Sequence, residues 1–243
     1  MTKESPARIW EIDFLRGLAI ILMVGYHLLY DLGDFAGLKK FLGFSTDLTT
    51  PAWLLAQHFF AGLFVILSGI SSNFSQNNFR RSLKYLAVAL IITAATYLFD
   101  PGSVILFGII HCLGISALIY GLFFRKSGPV TCLVSGLIVA ALSALLPSVH
   151  KTLSINSNWL LPLGLHRADF ASFDYFPLIP WFGVFLAGAA LGRWFYSDRK
   201  SLVPRPLPET IVNWCGRHSL WIYLLHQPII LAILYLLGYV NLF

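Results

Sequence analysis

The chain has 243 residues, 57% of them hydrophobic and 12% charged, with a mean hydropathy of +0.74. Soluble domains carry roughly 25% charged residues, so a water-soluble globular class is excluded and an integral membrane protein is indicated. The net charge of +6 would raise nucleic acid as a partner, but the charges are placed as membrane topology requires, and no nucleic acid is implied.

A membrane span needs roughly 20 mainly apolar residues, and about seven candidates meet that requirement. They lie near 14–31, 52–71, 83–99, 103–124, 129–146, 176–196 and 217–239. Little chain remains outside them. The expectation is one all-α transmembrane domain over 1–243, a polytopic helical bundle, because a chain in lipid must satisfy its own backbone.

The first candidate lies in EIDFLRGLAIILMVGYHLLYDLGD, residues 11–34, and is interrupted by Arg16, His27 and Asp31. Lys3 and Arg8 precede it as in a secretory signal, but no small-x-small site follows, so an uncleaved first span is expected. Arg16 and His27 are eleven positions apart, close to three helical turns, so they share a face and are separated by roughly 16 Å along the axis. His27 and Asp31 are i, i+4 neighbours, and Asp13 extends the same stripe. Lipid rejects such a line, so it faces protein or a cavity. An Arg one turn inside the membrane can simply snorkel or pair with Asp13, and Asp31 at the other end can be interfacial. His27 lies deeper. A carboxylate one turn away can hold one ring nitrogen and fix the tautomer, which is what a general base requires.

Further along, DPG at 100–102 and RKSGP at 125–129 read as tight turns. His58, His111 and His226 fall in other candidate spans. The segment Pro147 to Tyr175 is the longest outside the spans and is rich in aromatics, consistent with an interfacial belt or a re-entrant lid. Gly188 and Gly192 form a G-x-x-x-G pair for close packing, within the bundle or across a homodimer. SDRKSLVPRPLPE, 197–209, reads as a basic, Pro-rich linker at the headgroups. With the N-terminus cytoplasmic, Arg80, Arg81, Lys84, Arg125, Lys126, Arg193, Arg199, Lys200, Arg205 and Arg217 all fall inside, and the C-terminus is outside. Cys112, Cys132 and Cys215 have no C-x-x-C spacing, so neither a disulfide framework nor a metal site is expected.

From the residues alone, an enzyme and a proton-coupled transporter or flippase, with Arg16, His27, Asp31, His111 and His226 as a relay, explain the buried charges equally well. A haem or quinone protein using histidine pairs is a further alternative. A non-catalytic scaffold leaves the polar stripe without a purpose.

Three stretches carry a family likeness. IDFLRGLAIILMVGYH resembles the opening span of acyltransferase-3-like membrane acyltransferases, where Arg or Lys is followed after ten residues by His. FFAGLFVILSGISS (59–72) is similar to that group's second-span signature, and SLWIYLLHQP (219–228) to its terminal one. DYFPLIPWFGVFLAGAALGR (174–193) and GRHSLWIYLLHQPIIL (216–231) resemble the bacterial domain of unknown function 1624 family. That family is grouped with the catalytic domain of heparan-α-glucosaminide N-acetyltransferase. The lysosomal enzyme's histidine position is not matched here, so only the broader Arg-x10-His pattern is carried over, and it falls on Arg16 and His27. The resemblance implies a multi-pass bacterial inner-membrane enzyme moving an acyl group, acetyl first, from cytoplasmic acyl-CoA to a sugar, lipid-linked glycan or other hydroxyl or amine acceptor. It points to His27 as catalytic; the helix geometry adds Asp31 as its orienting partner and Arg16 gripping the coenzyme phosphates, with His111, His226 and Tyr223 as candidates for holding the thioester or the acceptor. Asp174 and Trp181 are placed at an outer entrance.

Overall fold

The computed structural model describes residues 9–153, 155–203 and 210–239. The helices are α1 (Trp10–Asp34), α2 (Pro51–Ser72), α3 (Asn78–Phe99), α4 (Ile109–Ile119), α5 (Pro129–Leu142), α6 (Leu146–Leu153), α7 (Leu178–Phe195), α8 (Ile211–Arg217) and α9 (Ser219–Leu236). A π-helical turn, Tyr120–Phe124, continues α4, and one short hairpin pairs β1 (Lys40–Phe41) with β2 (Phe44–Ser45). Among the described residues six segments are long and apolar enough to cross a membrane, including Pro129–Leu153 as one run through α5 and α6. The protein is therefore all-α and polytopic, as its composition requires.

Three boundaries differ from the hydropathy reading, each for a local reason. The candidate at 103–124 is helical only from Ile109, so it covers 109–124 and reaches roughly 24 Å, short of the ~30 Å hydrocarbon layer. The missing length is the irregular 103–108 segment, whose Ile105 and Phe107 are buried. Its Ser103 and Phe107 carbonyls accept from the Phe173 and Phe176 amides at 2.9 and 3.0 Å. Irregular backbone at membrane depth is tolerated when protein covers it. The helix through Pro147 runs on to Leu153, so the long outer segment starts later than expected. The last span is broken at His218, which separates α8 from α9. The basic linker at 197–209 falls partly outside the described residues, as do Lys3 and Arg8.

The chain packs as two compact units, Met1–Phe64 with Val203–Phe243, and Val65–Leu202. In the first, α1 crosses α8 backbone to backbone. A Cβ at Gly17 would collide with the Val212 carbonyl, and one at Gly216 with the Asp13 carbonyl. Asn213, buried on α8, donates its amide to the Trp10 carbonyl at 2.9 Å. Higher up, Leu32, Ile230 and Leu234 form an apolar cluster with Val24, Leu28, Phe35 and Phe41 around it. The hairpin turns on Leu42 and Gly43, with φ of 49° and 86°, the two positive values of a type I′ turn. It is tied back by the Thr46 hydroxyl, which donates to the Leu38 carbonyl.

In the second unit α7 is the central element, with Phe185, Leu186, Ala189 and Ala190 fully buried. Its Gly183 faces Gly136 of α5, and Gly188 and Gly192 lie against Ile66 and Ile70 of α2. The G-x-x-x-G pair is thus used for packing inside the chain.

The glycines give a paired test. Gly216→Leu puts a side chain into the Asp13 backbone and should lower stability by about 1–3 kcal/mol, the usual cost of overpacking. Gly25 of the same unit has nothing within 4 Å of an added Cβ, so Gly25→Ala should raise stability by roughly 0.5–1 kcal/mol through helix propensity. Thermal unfolding of both variants in mild detergent checks the contrast.

Candidate functional site

The polar residues of α1 and α9 meet inside the first unit. His27 and His226 lie edge to face with ring centroids 4.8 Å apart. On α1, His27 Nδ1 is 3.0 Å from the Met23 carbonyl. On α9, His226 Nδ1 is 2.6 Å from the Tyr223 carbonyl. Carbonyl oxygens only accept, so in each neutral ring Nδ1 carries the proton and Nε2 holds the lone pair. Both tautomers are therefore set by the rings' own helices. His226 Nε2 is buried and without a hydrogen-bond partner.

Asp31, one turn beyond His27, is fully buried. Both of its carboxylate oxygens accept from the Gln227 side-chain amide, Oδ1 at 2.8 Å and Oδ2 at 2.9 Å. The carboxylate thus reaches across to α9, beside His226, and its hydrogen bonds run to that helix. Tyr223 lies 5.6 Å from the His226 ring, and Tyr26 and Trp53 complete an aromatic flank next to His27. Arg16 is near the other end of α1, partly buried, and donates to Asp13 Oδ1 at 3.0 Å.

His58 of the first unit has Nδ1 2.7 Å from the Leu54 carbonyl, whereas His111 and Asp174 belong to the second unit and serve the start of α4. His111 accepts the Gly108 amide at Nδ1 (3.2 Å), which leaves Nε2 to donate to the Thr93 hydroxyl at 3.2 Å. The Thr93 hydroxyl in turn donates to the Ile105 carbonyl at 2.6 Å. Asp174 accepts the Ile109 amide at 2.9 Å, a carboxylate on the first turn of a helix, where the dipole favours it. Trp181 packs on Phe176 with centroids 4.8 Å apart. Between α5 and α7 of this unit, His150, His166, Phe170 and Tyr175 form one ring cluster. Tyr175 donates to the Leu161 carbonyl at 2.9 Å, and burial pushes its hydroxyl pKa up to about 12. Asp169 there is held below its ordinary value by hydrogen bonds from Arg167.

A family model described as heparan-alpha-glucosaminide N-acetyltransferase, catalytic, matches residues 8–228. The chain belongs to this family. No match was found among curated proteins or among solved structures. Membership makes the protein a membrane transferase of the acetyltransferase class. The matched span takes in both arms of the histidine pair, from α1 and from α9. Among the described residues no group of three or more His, Cys, Asp or Glu side chains is placed to hold a metal ion.

Sequence reasoning passed over three participants. Gln227 sits between His226 and Pro228, and a polar side chain inside an apolar span is a signal that was legible there. Arg81 of α3 is partly buried among neutral oxygens: Ser68 Oγ at 2.9 Å, Ser72 Oγ and the Tyr85 hydroxyl at 3.1 Å. Two of those partners, Ser68 and Ser72, lie in the second-span signature. Arg193 of α7 donates to the Tyr120 hydroxyl at 2.8 Å and to the Phe124 and Arg125 carbonyls at 3.0 and 2.9 Å. Tyr120 then donates to Asn73 Oδ1 at 2.6 Å. Arg81 and Arg193 were read only as topology, because no local spacing points to their partners.

Tyr120→Phe removes that hydroxyl and leaves the part-buried Asn73 Oδ1 without its donor, while Arg193 Nη2 keeps the Phe124 and Arg125 carbonyls. The expected loss is about 1–3 kcal/mol, read as a lower thermal midpoint, with the fold and the membrane insertion retained.

Proposed function

We propose that the protein is an acyl-CoA-dependent O- or N-acyltransferase of a bacterial cytoplasmic membrane. It moves an acetyl group from cytoplasmic acetyl-CoA to a sugar, or to another acceptor bearing a hydroxyl or amine. The observation that carries this reading is the His27–His226 pair, assembled from the two ends of a chain that belongs to an acetyltransferase family. The N-terminus is taken as cytoplasmic, in keeping with the placement of Lys and Arg. The finer likeness to the domain of unknown function 1624 and acyltransferase-3-like groups belongs to the same proposal.

In this reading His27, with its Nδ1 proton occupied by the Met23 carbonyl, presents Nε2 as the base. Nε2 takes the proton from the acceptor hydroxyl or amine as its oxygen or nitrogen attacks the thioester carbonyl. The tetrahedral adduct collapses, the C–S bond breaks, and the departing thiolate takes the proton back from the imidazolium. In an acyl-histidine route Nε2 attacks the thioester carbonyl and the C–S bond breaks to release the thiolate; the acceptor then displaces the acyl group from Nε2 and its proton passes to that thiolate. His226 and Tyr223 stand beside the base to hold the thioester, and Asp31 acts on the pair from one turn away. Arg16 is the phosphate-gripping group at the cytoplasmic end, where it must exchange Asp13 for the donor. His111 and Asp174 are bound to the start of α4, and Trp181 to Phe176, so they stay outside these steps as second-tier candidates.

Adjacent imidazoles also suit a proton relay, which keeps a proton-coupled transporter as the second reading. The haem alternative fares worse at this pair, because rings in edge-to-face contact leave no gap for a macrocycle between them.

Membranes carrying the protein, supplied with radiolabelled acetyl-CoA and extracted for labelled lipid-linked or glycan product, test the proposal. His27→Ala should cut labelling by about 10²-fold or more, the usual contribution of a positioned base. Equal labelling in both would remove His27 from the reaction. Substrate-dependent proton uptake without acetyl transfer would replace the enzyme reading with transport.

A further inference from the structure

Asp31 and Gln227 raise a question that the transfer steps leave unanswered. A carboxylate with no exposed surface sits within a membrane span, and its side-chain hydrogen bonds come from a neutral amide. Burying such a group is costly unless its hydrogen bonds serve a purpose.

We propose that Gln227 is a positioning residue, whose amide clamps Asp31 and so holds α1 and α9 in the register that keeps His27 against His226. The proposal rests on the acyl-transfer reading only where activity is the readout.

The geometry supports the clamp at four points. First, Gln227 Nε2 lies 2.8 and 2.9 Å from the two carboxylate oxygens. One donor group chelates both, an arrangement that resists sliding and rotation better than a single contact, and charge assistance strengthens it. The opposite amide assignment would set Oε1 against the carboxylate, so the NH₂ end must face Asp31. Second, that choice leaves Gln227 Oε1 buried without a partner. An unsatisfied buried acceptor is tolerated when the rest of its side chain is held by something stronger.

Third, the surrounding contacts between the two helices are apolar, Leu32 and Leu28 against Ile230 and Leu234. Apolar faces pack with little preference between neighbouring registers, whereas one buried polar pair selects one. Fourth, α9 carries Pro228 directly after Gln227. Proline has no N–H to donate, so the helix lacks one backbone bond at that turn and is locally weaker. A tie to α1 at the preceding residue compensates for it. Gln227 adjoins His226, and Asp31 is one turn from His27, so the clamp acts next to both rings.

The test uses the full-length protein in membranes. Gln227→Met keeps length and helix propensity while removing the amide, so the variant should still insert and fold. The swapped pair D31N/Q227E restores an amide–carboxylate bond with the roles reversed. The separation of the helices is read by cross-linking H27C/H226C in a background with Cys112, Cys132 and Cys215 replaced by Ala, with and without Q227M and with the swap. The expected result is that Q227M lowers the cross-link yield about fivefold or more, as loss of a charged hydrogen bond implies, and that the swap restores it. In the histidine-containing protein, Q227M should reduce kcat by roughly 10²-fold, the scale set by a 1 Å misplacement. An unchanged cross-link yield in Q227M, or a swap that does not restore that yield, overturns the clamp. If the unmodified protein transfers no acetyl group, the acyl-transfer reading fails and the cross-link yields alone decide this proposal.

Discussion

Helices α1 and α8 touch backbone to backbone, and the candidate site depends on that contact. Gly17 lies on Val212 and Gly216 on Asp13, with no room for a Cβ on either side. Close approach of this kind is the main attraction open to helices in lipid, where apolar side chains gain nothing by leaving a solvent as greasy as themselves. Once α1 and α8 are locked there, α9 follows from the break at His218 and runs alongside α1. Residues about 200 positions apart then become neighbours, Gln227 and Asp31 among them with a separation of 196.

Membrane burial also explains how the polar groups are disposed. Each sits where another part of the chain supplies a donor or acceptor. Asp31 has Gln227, Asp174 has the Ile109 amide, Arg193 has Tyr120 and two carbonyls, and Arg81 has two serines and a tyrosine. The pattern is uneven in an informative way. In the second unit the bonds of His111 and Asp174 close on themselves around the first turn of α4, which is the signature of a structural network. Among the described residues Nε2 of His226 and Oε1 of Gln227 in the first unit are buried and unpartnered, as are Asn78 Oδ1, Ser82 Oγ and Arg193 Nε in the second.

The family match spans residues 8–228 and so covers both helices of the histidine pair. An acetyltransferase needs a nitrogen whose proton is parked elsewhere, and the Met23 and Tyr223 carbonyls park the Nδ1 protons of His27 and His226. The tautomer, which the sequence suggested Asp31 would set, is set by main-chain oxygens one turn back on the same helix. That frees Asp31 to bind α9. Asp31 is thus bonded to the opposite helix, a relation that the spacing of His27 and Asp31 on one helix cannot express.

By itself the sequence determined the class, the helices and the family. Composition forced a membrane protein, hydropathy placed six spans and one helix too short to cross, and the stretches 174–193 and 216–231 pointed to a grouping with the N-acetyltransferase catalytic family that the chain belongs to. These features are encoded locally, in runs of about 20 residues, so a linear reading recovers them. The late start of α4 and the partners of Asp31, Arg81 and Arg193 were not readable. Each depends on a residue far along the chain, such as the Asp174 carboxylate that meets Ile109 across 65 positions. Periodicity could say that His27 and Asp31 share a face of α1. Only the tertiary structure could decide that this face meets His226 and Gln227, because side-chain spacing fixes direction within a helix and packing alone fixes what lies opposite.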